Sequence, residues 1–444
     1  MQIVWRNSHN KKLFEKERTK RLFNAVIPAR FPLAIASARR EQDVVDTVNL
    51  AISKNCHISV RAGGHSYAAW SVRNDAILLD LGDFRECELD ENYVICVSPS
   101  VTGRELHDFL SERGRFFPVG HCPDVGVGGY LLGGGMGWNQ PNLGWACEHI
   151  VAVDVVTAAG ERKRADAQQN SDLFWAARGG GPAFPGIVTK FYLRTLPAPG
   201  IMRSSGYIYG VGHYLTAFTW ALEIAAAFEN NIEIVAIGSY QDGIDTPCMT
   251  IALLAFGDDE YQLEILLQGV EDSHPDGALS HWFCQKTNLA EQFDFKAKAY
   301  PAGHRWYVDN AFIRNDSDVA AVLRPAFTTL PTRNSLALWS SMIPLSRKAL
   351  PDMAVSMQSD HYFAIYAVWR DESEDSRSRV WANEVMESVG AQSVGSYLGE
   401  LDFRSRNTKY WAEEQRTRLM EVRRKWDPAS RICGCLGLEG LGLS

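Results

Sequence analysis

No dense run of lysine and arginine appears anywhere in this chain, and its 45 basic residues are outnumbered by 53 acidic ones, giving a formal net charge of −8. That balance argues against a nucleic-acid groove, which gains its affinity by neutralising phosphates. The most basic stretch, Lys11 to Arg21, is interleaved with Glu15 and Glu17 and reads as a solvated helix face. Long apolar runs are also missing. The most apolar stretch, Leu215 to Phe228, contains Glu223 and is too short and too mixed to cross a bilayer, so no membrane partner is expected. The start, Met1-Gln2-Ile3-Val4-Trp5-Arg6, turns charged before a secretory hydrophobic core can form, and a cytoplasmic protein is expected. Nine cysteines in 444 residues do not make a disulfide framework, and their spacing shows no zinc pattern, so no metal is expected. Cys433-Gly434-Cys435 reads as part of a mobile tail. There is no repeat of fixed period and no low-complexity segment. Nor does a Gly-x-Gly-x-x-Gly follow a first strand with an acidic residue about twenty positions later, which disfavours a conventional nicotinamide dehydrogenase.

What is present is an ordinary globular composition, 46% hydrophobic and 22% charged, in a chain long enough for two domains. Val44, Val45, Val48, Ala51 and Ile52 recur at helical spacing between Glu41 and Asn55, and the alternating run Ile58-Ser59-Val60-Arg61 follows as a strand. Further strands are expected over 76–81 and 93–97, then a helix capped by Thr102 with Leu106, Phe109 and Leu110 on one side, leading directly to a loop at Cys122. Residues 150–156 and a charged return strand form a hairpin around Ala159-Gly160. A short helix starts at Asp172, and an alternating strand runs from Gly186 to Leu196, where Pro197 and Pro199 punctuate it. Beyond it, strand-like runs at Ile232 to Ser239, Cys248 to Phe256, Leu336 to Met342 and His361 to Trp369 alternate with helical ones, and a last helix spans Trp411 to Lys425.

Two glycine-dense loops each carry one nucleophilic side chain: His65 in Arg61-Ala62-Gly63-Gly64-His65-Ser66, and Cys122 in Gly120-His121-Cys122-Pro123-Asp124-Val125-Gly126-Val127-Gly128-Gly129. Glycine leaves amide N–H groups uncovered, so such loops approach pyrophosphate closely. With Gly133-Gly134-Gly135-Met136-Gly137 and Gly179-Gly180-Gly181 added, an elongated anionic cofactor is the economical explanation.

In these two motifs the chain resembles the berberine bridge enzyme-like FAD-linked oxidases, whose FAD domain is of the PCMH type. The likeness is dense over roughly the first two hundred residues and loose over the last fifty. In that family the histidine of RxGGHS bonds the flavin 8α-methyl carbon, and the cysteine of GxCPxVGVGGxxxGGGxG bonds flavin C6. The resemblance therefore implies FAD held covalently at both His65 and Cys122, with Cys122 reacting as a thiolate whose pKa nearby loop amides lower. It implies cofactor contacts from Arg61, Ala62, Gly63, Gly64, Ser66, Val125, Gly126, Val127, Gly128, Tyr130, Gly133, Gly134, Gly137, Ile187 and Val188. Val125 takes the gatekeeper position over the oxygen-reactive face, where valine goes with oxidase activity, and Tyr130 the position that contacts the flavin N1/C2 edge.

A substrate alcohol must lose a proton as its hydride leaves. The family's base is often a tyrosine in YxNYxD. The matching stretch here is Tyr397-Leu398-Gly399-Glu400-Leu401-Asp402, which keeps Tyr397, replaces the asparagine with Gly399 and places Glu400 where the second tyrosine stands. Glu400, Tyr362 and Tyr366 are alternative bases, and Trp138-Asn139 or the strand with Tyr362 and Tyr366 on one face and Phe363 and Trp369 on the other are candidate substrate walls.

The expected architecture is α+β: a PCMH-type FAD-binding domain over 30–199, a substrate domain over 200–399 with an antiparallel sheet covered by helices, and a segment 400–444 returning to the FAD domain. The expected activity is hydride transfer from a small-molecule alcohol, sugar or secondary metabolite to FAD and reoxidation by O2. A dehydrogenase using another acceptor, or a flavin-binding protein that has lost its base, are the alternatives.

Overall fold

The computed structural model describes all residues except 8, 229–231, 404 and 435–444. Near the amino terminus a four-stranded sheet runs in the order Gln2–Trp5, Ala34–Ser37, Ile77–Asp80, Ile58–Arg61, its last three strands parallel. The helix Glu41–Lys54 crosses between two of them, burying Val44, Val48 and Ala51 on the sheet and ending at Asn55 in the left-handed conformation. A five-stranded antiparallel sheet follows, in the order Cys87–Leu89, Val94–Val97, Gly186–Arg194, Ile150–Thr157, Arg162–Asp166. Thr102 starts the helix Gly103–Ser111 through a reciprocal capping box with Glu105. That helix does not lead straight into the Cys122 loop: the short strand Arg115–Phe116 intervenes and pairs with Leu196–Pro197.

The remaining strands form one eight-stranded antiparallel sheet. Its strand His361–Trp369 shows how alternation divides labour. Phe363, Ile365, Ala367 and Trp369 pack under the helices, while Tyr362, Ala364, Tyr366 and Val368 join the core shared with the five-stranded sheet. After this sheet the helix Glu413–Trp426 lies against Ser171–Ala176, and Ile432 bridges to Ile58.

Two expectations need correction. The segment Lys11 to Arg21 is not simply a solvated face, because Phe14 packs on Val4, Ile35 and Leu78 and buried Arg18 donates to the carbonyls of Pro28 and Arg30. Cys433 is not in a loose tail: its N–H donates to the Ile58 carbonyl at 2.8 Å, whereas Cys435 lies outside the described residues. No described helix is long and apolar enough to cross a membrane, and no described group of His, Cys, Asp and Glu is arranged to hold a metal.

Candidate active site

A long cleft runs between the four- and five-stranded sheets and the eight-stranded sheet, and both glycine loops form its wall. They meet backbone to backbone. A Cβ added at Gly63 would stand 2.8 Å from the Gly126 nitrogen, and one added at Gly126 would stand 2.9 Å from the Gly63 nitrogen. Gly64, with φ +81°, turns the chain under the Arg21 carbonyl, 2.1 Å from where its own Cβ would be. Strand Ile58–Arg61 fixes the start of this loop through fully buried Arg61, which donates to Asp80 and to the carbonyls of Glu17 and Arg18.

His65 and Cys122 both line the cleft. The His65 ring stacks on Phe23 with centroids 4.0 Å apart, and its Nε2 lies 3.1 Å from the Asp124 carboxylate. Burial pushes Asp124 upward, but the hydrogen bond and charge of His65 outweigh it and hold the carboxyl below its ordinary value. Cys122 departs from expectation. Burial first, then the carboxylates of Glu400 and Asp124, push its thiol up to about 12 rather than down.

Arg61, Ala62, Gly63, Gly64, Ser66, Val125, Gly126, Gly128, Tyr130, Gly133, Gly137, Ile187 and Val188 line the same cleft, as do Tyr397 and Glu400. Val127 and Gly134 do not. Val127 faces into the core, and Gly134 is closed in by Val355 and Trp145. Tyr130 donates its hydroxyl proton to the Pro118 carbonyl at 2.6 Å, so that proton is committed within the protein. Trp138 is also core, packed on His121 and Phe293, and the Asn139 N–H donates to Glu233.

At the other end, Tyr362 donates a short hydrogen bond to the Glu400 carboxylate. Desolvation, then the Glu400 charge, hold the phenols of Tyr397 and Tyr366 well above their ordinary range, and Tyr362 is raised by the same two causes and by its bond to Glu400. Asn310, fully buried, fastens this segment. Its Oδ1 accepts from the Tyr397 N–H at 2.7 Å, and its Nδ2 donates to the carbonyls of Tyr397 at 3.0 Å and Glu400 at 2.8 Å.

The cleft suits an elongated ligand with acceptor oxygens: along its wall Ser59 Oγ, Arg61 Nε, Trp70 Nε1 and Gln140 Nε2 have no partner among the described residues. Residues 32–166 match the family model for an FAD binding domain. The chain is 37% identical to FAD-linked oxidoreductase nodO of Hypoxylon pulicicidum over 97% of its own length and 96% of the relative's. It superposes on BBE-like 1 of Physcomitrella patens with a TM-score of 0.83 at 18% identity, covering 96% and 94% of the two chains. The chain belongs to the FAD-linked oxidoreductases and has the fold of the berberine bridge enzyme-like proteins. The same fold recurs in glucooligosaccharide oxidase from Acremonium strictum, described with a 6-S-cysteinyl, 8α-N1-histidyl FAD: TM-score 0.78, 20% identity, 92% and 91% of the chains covered.

Sequence reasoning missed several residues of this FAD-linked oxidoreductase's cleft: Tyr67, His121, Glu233, Lys296 and Tyr300. Glu233 had a signal, being the one acid inside the apolar run Ile232 to Ile237. Lys296 had none. It sits on the helix Leu289–Ala299 beside solvent-facing residues and reaches the cleft only through the tertiary fold.

Proposed function

We propose that this protein is an oxidase whose FAD is joined to both His65 and Cys122 and whose substrate is a small-molecule alcohol, sugar or secondary metabolite. The observation that carries the reading is the contact of Gly63 with Gly126, which brings the two anchor loops into one wall although they lie far apart in sequence. Bound FAD would supply the acceptor for a substrate hydride and the route for two electrons to dioxygen. Asp124 faces Nε2 of His65, which leaves Nδ1 as the ring nitrogen with a lone pair to form a bond. The unpartnered donors of Ser59, Trp70 and Gln140 would bind the cofactor along the cleft.

Glu400 takes the substrate proton, with Tyr362 as the hydroxyl through which it passes: Tyr362 hands its own proton to the carboxylate as it accepts another. Tyr397, its phenol held protonated by burial, orients rather than deprotonates. A carboxylate so placed argues against a protein that has lost its base. The substrate end of the cleft is walled by Tyr67, Tyr300, Tyr366, Leu338, Met342 and Leu345.

The test is peptide mapping of acid-denatured protein by mass spectrometry. Flavin is expected on both anchor peptides, on one in each of His65→Ala and Cys122→Ala, and on neither in the double variant. Free FAD from the unaltered protein refutes the linkage, and air-stable reduced flavin after substrate addition refutes the oxidase assignment.

A further inference from the structure

We infer that Lys296 is the charge partner that lets Cys122 react as a thiolate when its sulfur joins the flavin, an inference resting on the reading of Cys122 as an anchor. Both side chains line the same cleft, whose only other lysine or arginine among the described residues is Arg61. The Arg61 charge is paired with Asp80, and its two terminal nitrogens also donate to backbone carbonyls. The Lys296 ammonium, in contrast, makes no hydrogen bond or ion pair with any described residue and lies 6.0 Å from the centroid of the Tyr300 ring.

Its helix is fastened in place. Phe293, one turn earlier, is fully buried against His107 and Trp138, at centroid distances of 5.5 and 6.1 Å. Arg104 reaches over the Phe293 ring from the helix Gly103–Ser111 and pairs with Asp294 at 2.7 Å. Lys296 is thus presented from a helix tied to the elements that surround the Cys122 loop, not from a free surface.

The need for such a partner follows from the thiol's surroundings. Burial and the carboxylates of Glu400 and Asp124 all oppose a thiolate at Cys122, and Lys296 is the neighbour whose charge favours it. Reciprocally, burial lowers the Lys296 pKa, while Cys122, Glu233 and Glu400 pull it back up. The thiolate is the nucleophile, and each unit added to a thiol's pKa cuts the thiolate fraction about tenfold. In the attachment the sulfur donates an electron pair to form the C–S bond. The thiol proton and the hydrogen displaced from the ring carbon, with two electrons, end on dioxygen as hydrogen peroxide.

The experiment compares the unaltered protein with Lys296→Met, Lys296→Gln and Lys296→Arg, each purified as the flavin-loaded form and digested for quantitative mass spectrometry. Expected for Met and Gln is full linkage at His65 with linkage at Cys122 reduced at least about tenfold, the free thiol being recovered by iodoacetamide. Arg is expected to restore the Cys122 linkage. Flavin on His65 in the same molecules reports that each variant folds and binds FAD. Cys122 linkage at the unaltered level in Met and Gln, or no restoration by Arg, overturns the inference. An unmodified Cys122 in the unaltered protein instead overturns the anchor reading itself.

Discussion

Replacing Asn310 with alanine tests whether one buried amide holds the Tyr397–Glu400 segment against the cleft. The substitution removes three hydrogen bonds to backbone groups, at 2.7, 3.0 and 2.8 Å, from a position with no solvent exposure. A net hydrogen bond contributes about 1 kcal/mol, and buried groups left without partners cost more, so the loss comes to about 3 kcal/mol in total. Neighbouring contacts do not compensate. Arg406 and the Ser396 hydroxyl both bind the Asn310 carbonyl, which alanine retains, and neither replaces the lost amide. Because Glu400 and Tyr397 hang from that amide, loosening it displaces the proposed proton acceptor, and a displacement of about 1 Å costs about 10²-fold in rate. Urea titration of the first unfolding transition gives the stability change, and anaerobic stopped-flow reduction of the flavin gives the rate. Asn310→Asp should be worse, since it turns the donor into an oxygen facing two carbonyls. A change below about 0.5 kcal/mol in Asn310→Ala, with an unaltered reduction rate, would refute the reasoning.

Two further substitutions address the base and the cradle. Glu400→Gln keeps the shape of the Tyr362 contact but removes the carboxylate, and should slow flavin reduction by about 10²-fold while leaving both covalent links intact; equal rates would return the base role to Tyr397. Gly63→Ala places a methyl group 2.8 Å from the Gly126 nitrogen, where only backbone can give way, so flavin content at both anchors should fall together in peptide mapping. Loss at one anchor alone would mean that the loops are positioned independently.

How much of this was legible in the sequence depends on the range over which each contact acts. The strand His361–Trp369 has the bounds that its alternation gives, because each side chain's environment is set by the pleat itself. The helix starting after Thr102 was equally readable, since its capping box spans only the four residues Thr102 to Glu105. The anchor loops were legible as motifs, and their contact explains why both need glycine at the same place: Gly63 and Gly126 each occupy the space a side chain on the other would fill.

Val127 and Gly134 show the limit of the motif. They belong to the same run as the cleft glycines, yet Val127 opens the helix Val127–Leu132 with its side chain in the core, and Gly134, just past that helix, clears Val355. The charged residues of the cleft were the least legible. Glu233, Lys296 and Glu400 come from a strand, a helix and a loop, and converge only when the eight-stranded sheet closes over the FAD-binding sheets. Local pattern assigns a lysine on an amphipathic helix to solvent, and a buried thiol to inert packing. Lys296 and Cys122 line one cleft, and there the charge of each favours the charged form of the other. Reactivity of that kind belongs to the pair, so no window of sequence containing only one of them carries it.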